Sequence, residues 1–302
     1  TGTINNNYAI NVSSGTLSNG GTVTNNNGAT ITVSGGTFSN TNTVTDNGTF
    51  NISATGAVTN SGTFTVGSTT GSLNLANTSG TGFNNSGTLT NNGTLSGTGT
   101  LSNSKTFTNS GTYSLTGKVT NSGTFSFSGE TDKTADLYNF DNTGTFSVDG
   151  NVKITIPNTY TLSNTGENAK VTIADGSELD VTGTLTNTLG TVTNNGILKT
   201  TSTTGTIDVF SGELINNKNF TNDGTFTVES AGKFTDSGDF VDNGTSNISG
   251  TVVLNKNWTV NTAFTNGAKF VINSGAVLTV GTTGSLTNDN EITIADGGQL
   301  IN

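Results

Sequence analysis

Between residues 78 and 125 the chain divides into eight consecutive hexads: TSGTGF, NNSGTL, TNNGTL, SGTGTL, SNSKTF, TNSGTY, SLTGKV and TNSGTF. Every hexad closes on an apolar residue, in order Phe83, Leu89, Leu95, Leu101, Phe107, Tyr113, Val119 and Phe125. A six-residue period is not helical. An α-helix would scatter these positions around its circumference, and the intervening Gly, Thr, Asn and Ser are poor helix formers. A short strand followed by a turn fits the pattern. With Φ for an apolar residue, Thr-Φ-Thr sends one apolar side chain to one side and two hydroxyls to the other. Asn-x-Gly then supplies the corner, as at Asn60-Ser61-Gly62, Asn91-Asn92-Gly93, Asn109-Ser110-Gly111, Asn121-Ser122-Gly123 and Asn222-Asp223-Gly224. Both Asn and Gly tolerate positive φ.

Strands this short cannot hold a ladder in an open sheet, but in a solenoid each pairs with its equivalent in the coils above and below. Repetition elsewhere agrees: residues 15–35 align without a gap on 36–56, bringing Leu17 onto Phe38, Val23 onto Val44 and Ile31 onto Ile52. Residues 220–233 align on 234–247 at a shorter spacing. The expected fold is all-β, a parallel β-solenoid with about three short strands per coil. A coil of about 18 to 22 residues gives roughly fourteen or fifteen coils. One inward residue per strand, such as Phe107, Phe125 and Phe226, explains how 29% hydrophobic content is enough. Later rungs such as 171–187 carry two, Leu179 and Val181. The composition excludes an ordinary globular enzyme, which is nearly half apolar and about a quarter charged; here 10% is charged.

Net charge is −10, and all ten bases are Lys, so phosphate-directed binding of nucleic acid is not expected. There is no Cys, hence no disulfide. No apolar run reaches the roughly 18 residues of a membrane span, and the opening TGTINNNYAI lacks the basic start and apolar core of a signal peptide. Charge is uneven. Only Asp46, Lys105 and Lys118 precede residue 126. Three segments are therefore expected: an uncharged Thr/Asn/Gly-rich solenoid over 1–128, an interruption over 129–170, and a more acidic solenoid over 171–302. The stretch GETDKTADLYNFDN, 129–142, breaks the hexads and reads as a charged loop. Loops on rigid scaffolds carry function, so Tyr138, Phe140 and Asp141 are the candidate ligand contacts. Trp258 alternates with Val260 and is expected in the core.

The GTF/GTL-TNxG repeats, together with VTIADGSELDVTGTLTN at 171–187, resemble the β-helical passengers of bacterial autotransporter adhesins and of filamentous-haemagglutinin-like exoproteins. The resemblance covers nearly the whole chain. It implies a right-handed β-helix exported to the bacterial cell surface, a stalk or mature passenger mediating adhesion or self-association. Partners would be a surface protein or glycan of a host or neighbouring cell, or a second copy of the chain. The alternative is a structural subunit of an extracellular filament or surface layer.

Without His or Cys, Ser-His-Asp and Cys-His nucleophiles and His-ligated metals are impossible. Carboxylate groups stand at Asp175, Glu178 and Asp180, and at Asp236, Asp239 and Asp242. The first has no Lys at a suggestive spacing and the second, beside inward Phe234 and Phe240, is read as surface solvation. No enzymatic activity, cofactor or metal is expected. Outward Thr88, Thr94, Thr106, Thr108 and Thr112 resemble the threonine arrays of β-solenoid ice-binding proteins, a minor alternative, because a six-residue step spreads successive rungs over three faces.

Overall fold

The computed structural model describes residues 2–80, 82–129 and 133–302. The chain forms two compact units, Thr1–Phe146 and Ser147–Asn302. Both are parallel β-solenoids, and no helix occurs among the described residues. In the first unit, the first face stacks Thr3–Asn6, Thr22–Asn25, Thr43–Asp46, Thr63–Val66, Thr88–Asn91, Thr106–Asn109 and Thr124–Phe127. The second face runs from Ala9–Val12 to Thr112–Leu115, and the third from Thr16–Asn19 to Phe140–Asn142. The second unit likewise has three ladders, beginning at Lys153–Ile156, Thr161–Asn164 and Lys170–Ile173. With about seven coils in each unit, the described chain makes about fourteen.

Strands stack in register: Thr88 pairs with Thr106 and Thr106 with Thr124, a step of 18 residues, or three hexads. The strict hexad stretch thus gives 18-residue coils, a step that recurs later, as between Lys233 and Thr251. Elsewhere turns absorb the slack, as between Thr63 and its partner Thr88. The expected inward apolar residues, including Phe107, Phe125, Leu179, Val181 and Phe226, are fully buried. Phe38, Phe50, Phe64 and Phe83 enter from the third, second, first and third faces in turn and pack edge to face within the first core, with successive centroids 5.2, 5.2 and 5.3 Å apart, a geometry that suits the ring quadrupole. Trp258 is buried against Phe240, Phe264 and Phe270.

The corners differ from the expected turn chemistry. None of Gly62, Gly93, Gly111, Gly123 and Gly224 has positive φ. Glycine is required there by close approach: a Cβ on Gly111 would lie 2.2 Å from the Gly93 carbonyl oxygen of the preceding coil. Gly111→Ala should therefore cost about 1 to 3 kcal/mol through forced backbone movement. Gly20→Ala, whose Cβ would meet open space, should be nearly silent. Urea denaturation followed by circular dichroism would test the pair; equal tolerance would mean that the corners are not close-packed.

The Asn of each triplet is not a turn residue either. It ends the strand and points inward, so strands such as Thr88–Asn91 and Thr106–Asn109 bury two side chains, one apolar and one amide. On the third face of the first unit, Asn19, Asn40, Asn60, Asn85, Asn103, Asn121 and Asn142 form a column. Each Nδ2 donates to the next Oδ1 at 2.6 to 2.8 Å. The second amide hydrogen reaches a backbone carbonyl, as from Asn103 to Thr124 O at 2.9 Å. Unpaired, such buried amides would be costly; paired, each bond contributes about 1 kcal/mol and polarises its neighbours. The low apolar content is thus offset by a second, polar core.

Candidate functional site

Coil stacking decides the fate of every carboxylate singled out by sequence. Asp236 and Asp242 do not solvate the surface: they are fully buried, occupying the inward position that Asn fills elsewhere. Each accepts a bond from the Asn one coil earlier, Asn216 to Asp236 at 2.7 Å and Asn222 to Asp242 at 2.8 Å. Asp46 does the same with Asn25 at 2.7 Å. In all three the next coil offers an apolar partner, Val66, Leu254 and Val260, so the amide column ends on the acid. Their Oδ2 atoms are buried with no hydrogen-bond partner among the described residues. Burial pushes the Asp46 and Asp236 carboxyls up to about 6, against the opposing effect of their Asn donors, and pushes Asp242 up as well. Asp239 points outward and pairs with Lys256 at 2.5 Å.

The first acid group also acquires partners that its local sequence hides. Lys153 and Lys199, one coil to either side, bracket Glu178 at 3.0 and 2.8 Å and Asp180 at 3.3 and 3.7 Å. Burial opposes ionisation of Glu178, but the bonds from Lys199 and Lys153 outweigh it and hold its carboxyl below the ordinary range. The same contacts, led by the Glu178 bond, raise Lys153. A lysine so held is a poor proton acceptor at neutral pH, and the arrangement acts as a local charge clamp across three strands. Asp175 pairs separately with Lys218 at 2.9 Å. Among the described residues, no group of three or more His, Cys, Asp or Glu could hold a metal ion.

The three candidate ligand contacts part company. Phe140 begins the strand Phe140–Asn142 and is fully buried, with its ring centroid 5.0 Å from that of Phe125 and 4.9 Å from that of Phe146. It is a core residue and has no surface to offer a ligand; a six-residue strand-and-turn continues there despite the charges around it. Asp141, the outward residue of that strand, bonds Lys118 of the preceding coil at 2.5 Å. Tyr138 is half-buried and lines a cleft of about 230 Å³. This cleft lies where the second-face ladder stops: Thr112–Leu115 is its last hydrogen-bonded strand, and Thr134–Asp136 packs nearby without joining it. Tyr113, Ser114, Thr116, Thr134, Ala135 and Asp136 complete the lining. Residues 130–132 of the expected loop lie outside the described residues.

Stacking also changes the reading of the threonines. A six-residue step does visit three faces, but every third strand returns to the same one. From Thr22 to Thr108 the first face presents Thr-Φ-Thr on five successive strands, in two straight columns. The equivalent positions on the second face mix Thr30 and Thr32 with Asn51, Ser72 and Asn74. This surface was findable from the sequence by asking which Thr-Φ-Thr triplets lie three strands apart. No protein-family model matches the chain, and no curated protein matches it.

Proposed function

We propose that this protein is a non-enzymatic solenoid of the bacterial cell surface, an adhesin stalk that acts by adhesion and self-association along its outer faces. The observation that carries this reading is the near-absence of charge from the first 125 residues. Residues 1–125 hold three charges, Asp46, Lys105 and Lys118, and Asp46 is turned into the core. What remains outward is Thr, Ser and Asn, repeated coil after coil, with little repulsion to keep two copies apart. Side-chain hydrogen bonds between such faces contribute only about 1 kcal/mol each, but parallel copies repeat them at every coil. The second unit holds 15 of the 20 acids, and like-charged copies repel there.

Sedimentation of the full chain over a range of concentrations tests this, at low and at high salt. Contacts between neutral hydroxyls and amides should persist when exposed charges are screened. Thr32→Lys with Ser102→Lys, on the second and third faces of the first unit, should disperse the assemblies. Thr193→Lys with Thr227→Lys in the second unit should leave them intact. A chain that is monomeric throughout, or that is dispersed only by the second pair, would overturn the reading. Long fibres under the electron microscope would instead favour a filament subunit.

A further inference from the structure

We propose that the first face of the first unit is an ice-binding surface, on which two columns of threonine hold the water lattice of a growing crystal. This goes beyond adhesion and does not depend on it. From Thr22 and Thr24 to Thr106 and Thr108, all ten outward positions on five consecutive strands are Thr. The next strand continues with Thr124 and Ser126. Each Thr pairs with a Thr of the neighbouring coil at the same register, such as Thr45 with Thr65 and Thr65 with Thr90. The apolar residue between each pair is fully buried, Val23, Val44, Phe64, Leu89 and Phe107 in turn. The hydroxyls and methyls therefore stand on a fixed floor.

Three features point to a lattice of water rather than a macromolecule. The first is periodicity: parallel strands set the columns at about 4.8 Å per coil, and two residues of strand set them about 6.6 Å apart. The β-branched side chain is stiff at χ1, so hydroxyl and methyl keep one orientation from coil to coil. Ordered water on such a grid loses little further entropy on joining a crystal. The second is the absence of charge from all ten positions. Strand propensity explains Thr at some of them, but a surface of this kind ordinarily carries about a quarter to a third charged residues. The pattern also survives changes in coil length, from 18 residues between Thr88 and Thr106 to 25 between Thr63 and Thr88, so the extra residues sit in turns while the face is kept. The third is size. Six strands span about 24 Å and four residues of strand about 13 Å, an area of about 300 Å², well short of the roughly 800 Å² per partner of a stable protein interface, and the face has none of the Trp, Tyr or Arg anchors that concentrate binding energy.

The test is the partition of the fluorescently labelled full chain between slowly grown polycrystalline ice and the remaining liquid. It is run at a concentration where sedimentation shows monomer, with the gap between freezing and melting measured alongside. Wild type should be enriched several-fold in the ice and should open a measurable gap. Thr65→Lys with Thr90→Lys, adjacent on the first face, should abolish both. Ser39→Lys with Thr59→Lys, an equally spaced pair on the third face, should preserve both, and circular dichroism should confirm that each variant keeps its strand spectrum. Exclusion of wild type from ice would overturn the proposal, as would identical behaviour of the two variants. Loss of self-association rather than of ice partition in the first-face variant would make the face a contact between copies, and would also overturn it.

Discussion

Lowering the pH from 7 to 5 should make this protein more stable, not less. The Asp46 and Asp236 carboxyls are raised to about 6 in the fold, against roughly 4 in an unfolded chain. Between those values the native state binds more protons than the unfolded one, so stability falls as pH rises through the window and recovers as pH falls. A shift of about two units corresponds to about 3 kcal/mol for each group over the whole window as an upper bound, of which the step from pH 7 to 5 recovers about half, and Asp242, raised by the same burial, adds in the same direction. Near Asp236 the charges of Lys256 and Asp239 oppose one another. The structural reason is the missing donor. An Asn at these positions would send its second amide hydrogen to the carbonyl two residues on, as Asn109 does to Gly111 O at 3.1 Å and Asn121 to Gly123 O at 3.1 Å. An ionised Asp cannot, and its Oδ2 is left buried and alone. Asp46→Asn, Asp236→Asn and Asp242→Asn together should stabilise the protein at pH 7 and flatten the profile between pH 7 and 5. Urea midpoints by circular dichroism at the two values would decide it. A wild type that weakens on acidification, or a triple variant that keeps the wild-type slope, would contradict the buried, unpaired state of these acids.

The solenoid was legible because its determinants are local. A hexad that closes on Phe, Leu or Val excludes the helix and leaves a short strand, and Phe107, Phe125 and Phe226 point inward as their period requires. The second half of the core was not legible, for a physical reason. Hydropathy places Asn outside, and Asn-x-Gly is a turn signature, yet the partner that makes Asn103 an inward residue is Asn121, one coil away. The same distance in sequence hid Lys153 and Lys199 from Glu178 and Asp180. Phe140 was misplaced for the converse reason: the charges around it suggested a loop, while Phe125 and Phe146 held a place for it in the core. Tyr138, by contrast, stays at the surface beside a real break in a ladder. Local sequence gives which residues alternate; stacking gives what each one meets.

Replacing Asn103 by Asp should be among the most damaging single changes in the molecule, the opposite sign to the same exchange made in reverse at position 46. Asn103 accepts from Asn85 at 2.7 Å and donates both amide hydrogens onward, to Asn121 Oδ1 at 2.7 Å and Thr124 O at 2.9 Å. A carboxylate keeps the first bond, but it faces two buried acceptors with nothing to give. Protonation restores one donor for two acceptors, so acid rescues only partly. An uncompensated buried charge costs about 3 to 5 kcal/mol, and the orphaned acceptors add about 1 to 3 kcal/mol each. That total is comparable with the whole stability of a typical domain. Above Asp46 the next coil presents Val66, so no neighbouring side-chain acceptor loses its bond to the acid; above Asn103, both Asn121 Oδ1 and the Thr124 carbonyl would lose theirs. Urea denaturation of Asn103→Asp at pH 7 and pH 5 should show a loss exceeding about 4 kcal/mol, or no folded first unit at all, with modest recovery at the lower pH. If Asp at 103 costs less than about 1 kcal/mol, the amide column does not discriminate donor from acceptor. The placing of natural Asp residues at column ends would then have no energetic basis.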